Sequence, residues 1–254
     1  MPGVGFAVGD VLDTCIPVPS AGRAYSSRRR VHPSDMDPRG RLRLDSVARF
    51  LQDGAFEDVQ ETGWGLPEHV WLVRRVRIDV LRPFLDDREV ELTTWCSGVA
   101  ALAAGRRWSL AGDGGGRIEV DSVWIHLDAG GNPARIESFG VYADAGDGRR
   151  VSTRLELPDP PARAARTPWP LRATDVDLHG HVNNAVHWQA VEEVLPALGV
   201  DPRGPARAEL DYRRPLDAGD QLDLVAFEDE GCEAVAFVVG ASDVRAVARL
   251  GPLG

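Results

Sequence analysis

The chain has 254 residues, 43% of them hydrophobic, a formal net charge of −10 and three cysteines. That length fits two modest domains or a fused pair sharing one core, and the acidic balance argues against nucleic-acid binding, which needs a basic footprint. No apolar run approaches the roughly 18 residues of a membrane span, the N-terminus lacks a signal-peptide pattern, and Cys15, Cys96 and Cys232 are too scattered for a disulfide framework or zinc cluster, so a cytoplasmic setting is expected.

Residues 1–24, interrupted by glycine and proline, read as a loose leader. A first strand is expected to open at 28–31. Asp45 is placed to cap a helix over 46–61, on which Val47, Phe50, Leu51, Gly54, Ala55 and Val59 form one stripe, and Gly63 sits where a C-cap glycine belongs. Strand-like runs follow at 71–81, 90–96, 106–110 and 119–127, separated by glycine and aspartate turns. These make an N-terminal domain over 25–157. Residues 158–170, rich in Pro, Ala and Arg, read as a linker. The second domain, 171–254, repeats the plan with a helix at 184–195 stopped by Pro196, then strands at 206–213, 221–228, 234–239 and 244–250. One long helix followed by antiparallel-looking strands, twice, indicates an α+β fold.

The two halves are copies. Asp35, Asp37 and Gly40 answer Asp175, Asp177 and Gly180, and Asp79, Arg82 and Pro83 answer Asp211, Arg214 and Pro215. Two ordered blocks recurring in one chain indicate duplication. Only the second copy carries histidines, in DVDLHGHVNN from Asp175 to Asn184. A carboxylate and imidazoles are the usual groups for moving protons near neutral pH, and the first N–H groups of a helix can receive an oxyanion. In the first copy Arg39 and Arg41 replace the imidazoles, so Asp37 is expected to pair with an arginine there.

DVDLHGHVNN, ELDYRRP, and the ordered first-half segments VWLVRRVRIDVLRPFLDD, VELTTWCSG, RRWSL and VDSVWIHLD resemble the acyl-ACP thioesterases of plants and bacteria, from about Arg28 to Leu224. The resemblance implies a tandem (double) hot-dog, each half a long helix wrapped by a curved antiparallel sheet. It also implies hydrolysis of acyl-ACP to a free fatty acid in fatty acid biosynthesis, with acyl carrier protein as partner, no cofactor and no metal, and it leaves a homodimer open. Asp177 and His181 match the acid and histidine of the plant motif Asp-x-Asn-x-His-Val-Asn-Asn, whereas His179 stands in place of its asparagine. Pro215 and Leu216 occupy the positions of a glutamate and a cysteine, which excludes a cysteine nucleophile there.

The catalytic candidates are therefore Asp177, as general base or direct nucleophile, His181, to orient thioester or water, and His179, to share proton transfer. Gly180, Val182 and Asn183 are expected to bind substrate, with backbone N–H groups around 181–183 receiving the oxyanion. Asn184 is expected to cap the helix. Trp188 is expected in the core or along an acyl tunnel, and His187 and His126 on the surface or in a strand. An acidic carrier calls for a local arginine patch, with Arg28, Arg29, Arg30, Arg106, Arg107, Arg163, Arg166, Arg172, Arg213 and Arg214 as candidates. An acyl-CoA thioesterase and a non-catalytic acyl-thioester binder are the alternatives to acyl-ACP hydrolysis.

Overall fold

The structure, a computed structural model, describes residues 16–64, 70–128, 130–196 and 203–253. Most of the expected leader, Cys15 and His69 lie outside them. The first half comprises β1 (Ala24–Arg30), α1 (Leu44–Thr62), β2 (Val70–Arg82), β3 (Glu89–Ala100), β4 (Ala103–Gly112) and β5 (Arg117–Leu127). The second comprises β6 (Arg166–Trp169), α2 (Asn184–Val194), β7 (Ala206–Tyr212), β8 (Leu222–Asp229), β9 (Cys232–Val239) and β10 (Asp243–Pro252).

The strands form one 10-stranded antiparallel sheet in the order β1-β3-β4-β5-β2-β7-β10-β9-β8-β6. Each half contributes five strands in the same relative order, and the halves meet at β2 and β7. Their register is self-reciprocal. Arg75 faces Asp211 while Asp79 faces Arg207, and Arg77 faces Glu209 between them, as a two-fold relation between duplicated strands requires.

Strand alternation sends Val76, Ile78, Ala208 and Leu210 inward, where they join a single core cluster spanning both helices. The outward row is ionic, with Arg207 Nε 2.6 Å from Asp79 Oδ1. Both Glu209 and Asp211 lie on this row, opposite Leu210 and Tyr212, as alternation predicts. The sheet wraps α1 and α2, which pack against each other. Gly54 of α1 permits a close approach, since a Cβ there would stand 3.1 Å from Leu92 and 3.3 Å from Trp108. A helix wrapped by an antiparallel sheet, twice, is the tandem hot-dog.

The local expectations need three corrections. Asp45 does not cap α1. The cap position is Arg43, and Asp45 is buried inside the first turn, held by Arg43 and Arg49. Residues 166–169 of the expected linker are the edge strand β6, paired with β8; Pro168 is tolerated because an edge strand needs only one side of its hydrogen bonds. The first strand begins earlier than expected, at Ala24. Gly63 does end α1 in a left-handed conformation. No described helix is long and apolar enough to cross a membrane.

Candidate active site

Both halves build the same turn ahead of their helix. In the second, the Asp177 N–H donates to His181 O (2.9 Å), the Gly180 N–H to Asp177 O (3.0 Å), and Val176 bridges Val182. In the first, the Asp37 N–H donates to Arg41 O (2.7 Å), the Gly40 N–H to Asp37 O (2.9 Å), and Met36 bridges Leu42. The shared glycine is required by conformation. Gly180 has φ +83° and Gly40 φ +80°, a region that L side chains rarely adopt.

The turn distributes the expected residues unevenly. Asp177 Oδ1 accepts the His179 N–H at 2.9 Å, while Oδ2 makes no hydrogen bond among the described residues. The His179 side chain is exposed and likewise unengaged among them. His181 does not pair with Asp177. Its Nδ1 lies 2.8 Å from Oδ1 of Asp217, a contact between residues 36 apart in sequence. Asp217 escapes a local reading because its partner lies 36 residues away in sequence. The available signal was an acid in the register position that Leu85 holds in the first half.

Asn183, not Asn184, is the N-cap. Its Oδ1 accepts the Ala185 N–H at 2.9 Å, and the helix starts one residue later. Trp188 is 1% exposed and belongs to the core cluster. An apolar cavity of about 20 Å³ lies between the halves, against Arg41, Leu42 and Phe84 on one side and Ala208 and Leu250 on the other, and no histidine lines it. His187 is not a surface residue. It is buried on α2 between the rings of Tyr212 and Phe237, with centroids 5.1 Å from each.

The decisive asymmetry lies in the backbone donors at the two helix heads. In the first half the Arg41 N–H donates to Asp37 Oδ1 at 2.9 Å, and the Leu44 N–H, first in α1, donates to Glu192 Oε1 at 2.6 Å. Glu192 reaches across from α2, and its other oxygen takes the Arg41 guanidinium. The head of α1 is thus filled by an anion. Burial pushes the Asp37 carboxyl up, but the Arg41 and Arg39 N–H bonds and the charges of both arginines outweigh it and hold it below the usual range. In the second half the positions of Arg41 and Leu44 are His181 and Asn184, whose N–H groups make no hydrogen bond among the described residues. The Val182 and Asn183 donors are consumed by Leu216 O and Asp175 O, each at 2.8 Å. Of the donors at 181–183 only the His181 N–H is left open, and the Asn184 N–H that follows them is open as well.

The chain matches the family models for the acyl-ACP thioesterase N-terminal domain over residues 22–136 and C-terminal domain over 159–241. It belongs to the acyl-ACP thioesterase family. Two uncharacterized proteins of Mycobacterium tuberculosis are 33% identical over 238 residues, 91% of this chain and 93% of theirs. The chloroplastic oleoyl-acyl carrier protein thioesterase 2 of Arabidopsis thaliana is 22% identical, over 86% of this chain and 67% of its own length. Among solved structures, an acyl-ACP thioesterase of Bacteroides thetaiotaomicron superposes with a TM-score of 0.74 at 18% identity, covering 89% of this chain and 96% of its own. The 12:0-ACP thioesterase of Umbellularia californica gives 0.74 at 17%, with the same coverage. As a member of this family, the chain is a thioester hydrolase acting on acyl-ACP.

Proposed function

We propose that the head of α2 is where this thioesterase cleaves acyl-ACP, and that the unengaged N–H groups of His181 and Asn184 receive the oxyanion. The observation that carries this reading is the anion already present at the equivalent place. Glu192 sits on the Leu44 N–H at the head of α1, so the duplicated frame accepts a carboxylate oxygen where the second half has an open donor. A helix N-terminus stabilises such charge without reorganisation.

Asp177 acts as general base. One oxygen is fixed to the His179 N–H, and the other takes a proton from water as that water adds to the thioester carbonyl carbon. The tetrahedral intermediate collapses, the C–S bond breaks, and the departing thiolate of the carrier takes back a proton. His181 holds the water, and His179, at the exposed rim, relays protons. Gly180 lets the substrate approach the backbone, while Val182, Asn183 and Trp188 shape the site by fixing the helix behind it. The test is thiol release from acyl-ACP in ¹⁸O-labelled water under single turnover. Label in the fatty acid and none in the enzyme is the expected result; label in Asp177 would show direct attack instead, and no release from acyl-ACP or acyl-CoA would leave only a binder.

His179 yields a separate prediction. If its imidazole relays protons, His179→Ala should lower kcat severalfold, while His179→Asn, whose amide can still hydrogen-bond, retains substantial activity. A wild-type kcat in His179→Ala would remove His179 from the chemistry.

Carrier docking narrows as well. Arg29 pairs with Glu57, Arg106 with Asp58, Arg107 with Glu119, Arg213 with Asp159 and Arg214 with Asp243. Arg166 pairs with Asp223. Arg28, Arg30, Arg163 and Arg172 are exposed and have no ion pair among the described residues. Arg172 precedes the site loop directly and is the strongest docking candidate. Arg172→Glu should raise KM severalfold for acyl-ACP and little for acyl-CoA, with a salt-dependent difference; equal effects on both substrates would count against docking there.

A further inference from the structure

We infer that Asp217 is the positioning residue of this site: its carboxylate fixes the tautomer and orientation of His181. This rests on the reading of His181 as the site imidazole. His181 Nδ1 is 2.8 Å from Asp217 Oδ1. A carboxylate only accepts hydrogen bonds, so Nδ1 carries a proton, and in the neutral imidazole Nε2 is then left as an acceptor toward water. An imidazole free to carry its proton on either nitrogen would also present a donor at Nε2, and in that form it could not hold a water's proton there.

The frame that places Asp217 does not depend on its carboxylate. The Asp217 N–H donates to Asp220 Oδ2 at 2.9 Å, and the Asp220 N–H returns to Asp217 O at 3.0 Å. Arg245 binds the Pro215 carbonyl and lies 3.6 Å from Asp220. The Val182 N–H ties the site loop to Leu216 O at 2.8 Å, which sets His181 opposite Asp217 as a bridge pair.

The first half is an internal control. The Leu42 N–H donates to Phe84 O at 3.0 Å, the counterpart of the Val182–Leu216 bond. On that identical frame the residues answering His181 and Asp217 are Arg41 and Leu85. Imidazole and carboxylate are both present in the half with open helix donors and both absent in the half whose donors are filled. Both side chains are about half exposed, 50% and 57%, and so solvated a pair adds little to folding. A role in holding the ring accounts for the pairing where stability does not.

The test uses Asp217→Asn, Asp217→Glu and His181→Ala, assayed by thiol release from acyl-ACP. Asp217→Asn should lower kcat at least about tenfold, the scale of losing an imidazole's supporting carboxylate, with KM and melting temperature nearly unchanged. Asp217→Glu should recover part of the loss. In ¹⁵N spectra of the imidazoles, the His181 signals should show Nδ1 protonated at neutral pH in the wild type and a tautomer mixture in Asp217→Asn. Wild-type turnover and an unchanged His181 spectrum in Asp217→Asn, alongside an inactive His181→Ala, would overturn the role of Asp217 alone. An active His181→Ala would instead overturn the reading of the site on which it depends.

Discussion

Asp177→Asn should cut kcat at least about a hundredfold, the usual scale of a lost general base, with little change in KM. The substitution suits the question because an amide oxygen can still accept the His179 N–H that Asp177 Oδ1 holds, so the turn survives and only the ionised oxygen is lost. The paired control is Asp37→Asn, which sits on the same turn in the other half and should leave turnover almost untouched. That control is expected to cost stability, because Asp37 accepts the Arg39 and Arg41 N–H groups and pairs with the Arg41 side chain. A folded Asp177→Asn protein with near-wild-type kcat would take the carboxylate out of the mechanism.

The second large effect is on stability against acid, and it arises at His187. Burial drives this imidazole down to about 4, against the opposing pull of the Asn183 and Asn184 carbonyls. Its ordinary value, which the unfolded chain keeps, is 6.5. Between these two values the unfolded chain binds a proton that the folded chain refuses, so acid favours unfolding. The contribution is fully present above pH 6.5 and drains away as pH falls toward 4, by up to about 3 kcal/mol from a shift of this size. Carboxylates titrate mostly below about pH 5 in both states, so the upper part of the window reports on histidine. His187→Leu should therefore flatten the fall in melting temperature between pH 6.5 and 5. A variant with the same slope as the wild type would show that His187 does not bear the acid sensitivity.

The duplication, both helices and the strand runs were legible in the chain because each rests on local chemistry. Gly40 and Gly180 recur because the turn needs a left-handed residue, and the stripe of Val47, Phe50 and Leu51 follows from helical period. Errors clustered where long-range packing overrides local preference. Asp45 has the composition of a cap, yet Arg43 and Arg49 draw it into the first turn of α1. His187 is polar by type but is sandwiched by rings from β7 and β9. Proline and alanine in 158–170 suggest a linker, but sheet closure recruits four of its residues, 166–169, as an edge strand.

The candidate site divides along the same line. By itself the sequence determined which half holds the imidazoles, since His179 and His181 stand where the other half has Arg39 and Arg41. It also determined that the acid, the histidines and a helix head share one loop, because they are neighbours in the chain. Only the tertiary structure decided what those groups touch. His181 turns to Asp217, 36 residues away, because the Val182–Leu216 bond brings two loops into register. The Leu44 N–H is capped by Glu192, 148 residues away, because the helices pack side by side. Contacts over such separations are set by how the two halves close on each other, which no local pattern encodes; that closure fills the Leu44 N–H at one helix head and leaves the Asn184 N–H at the other open.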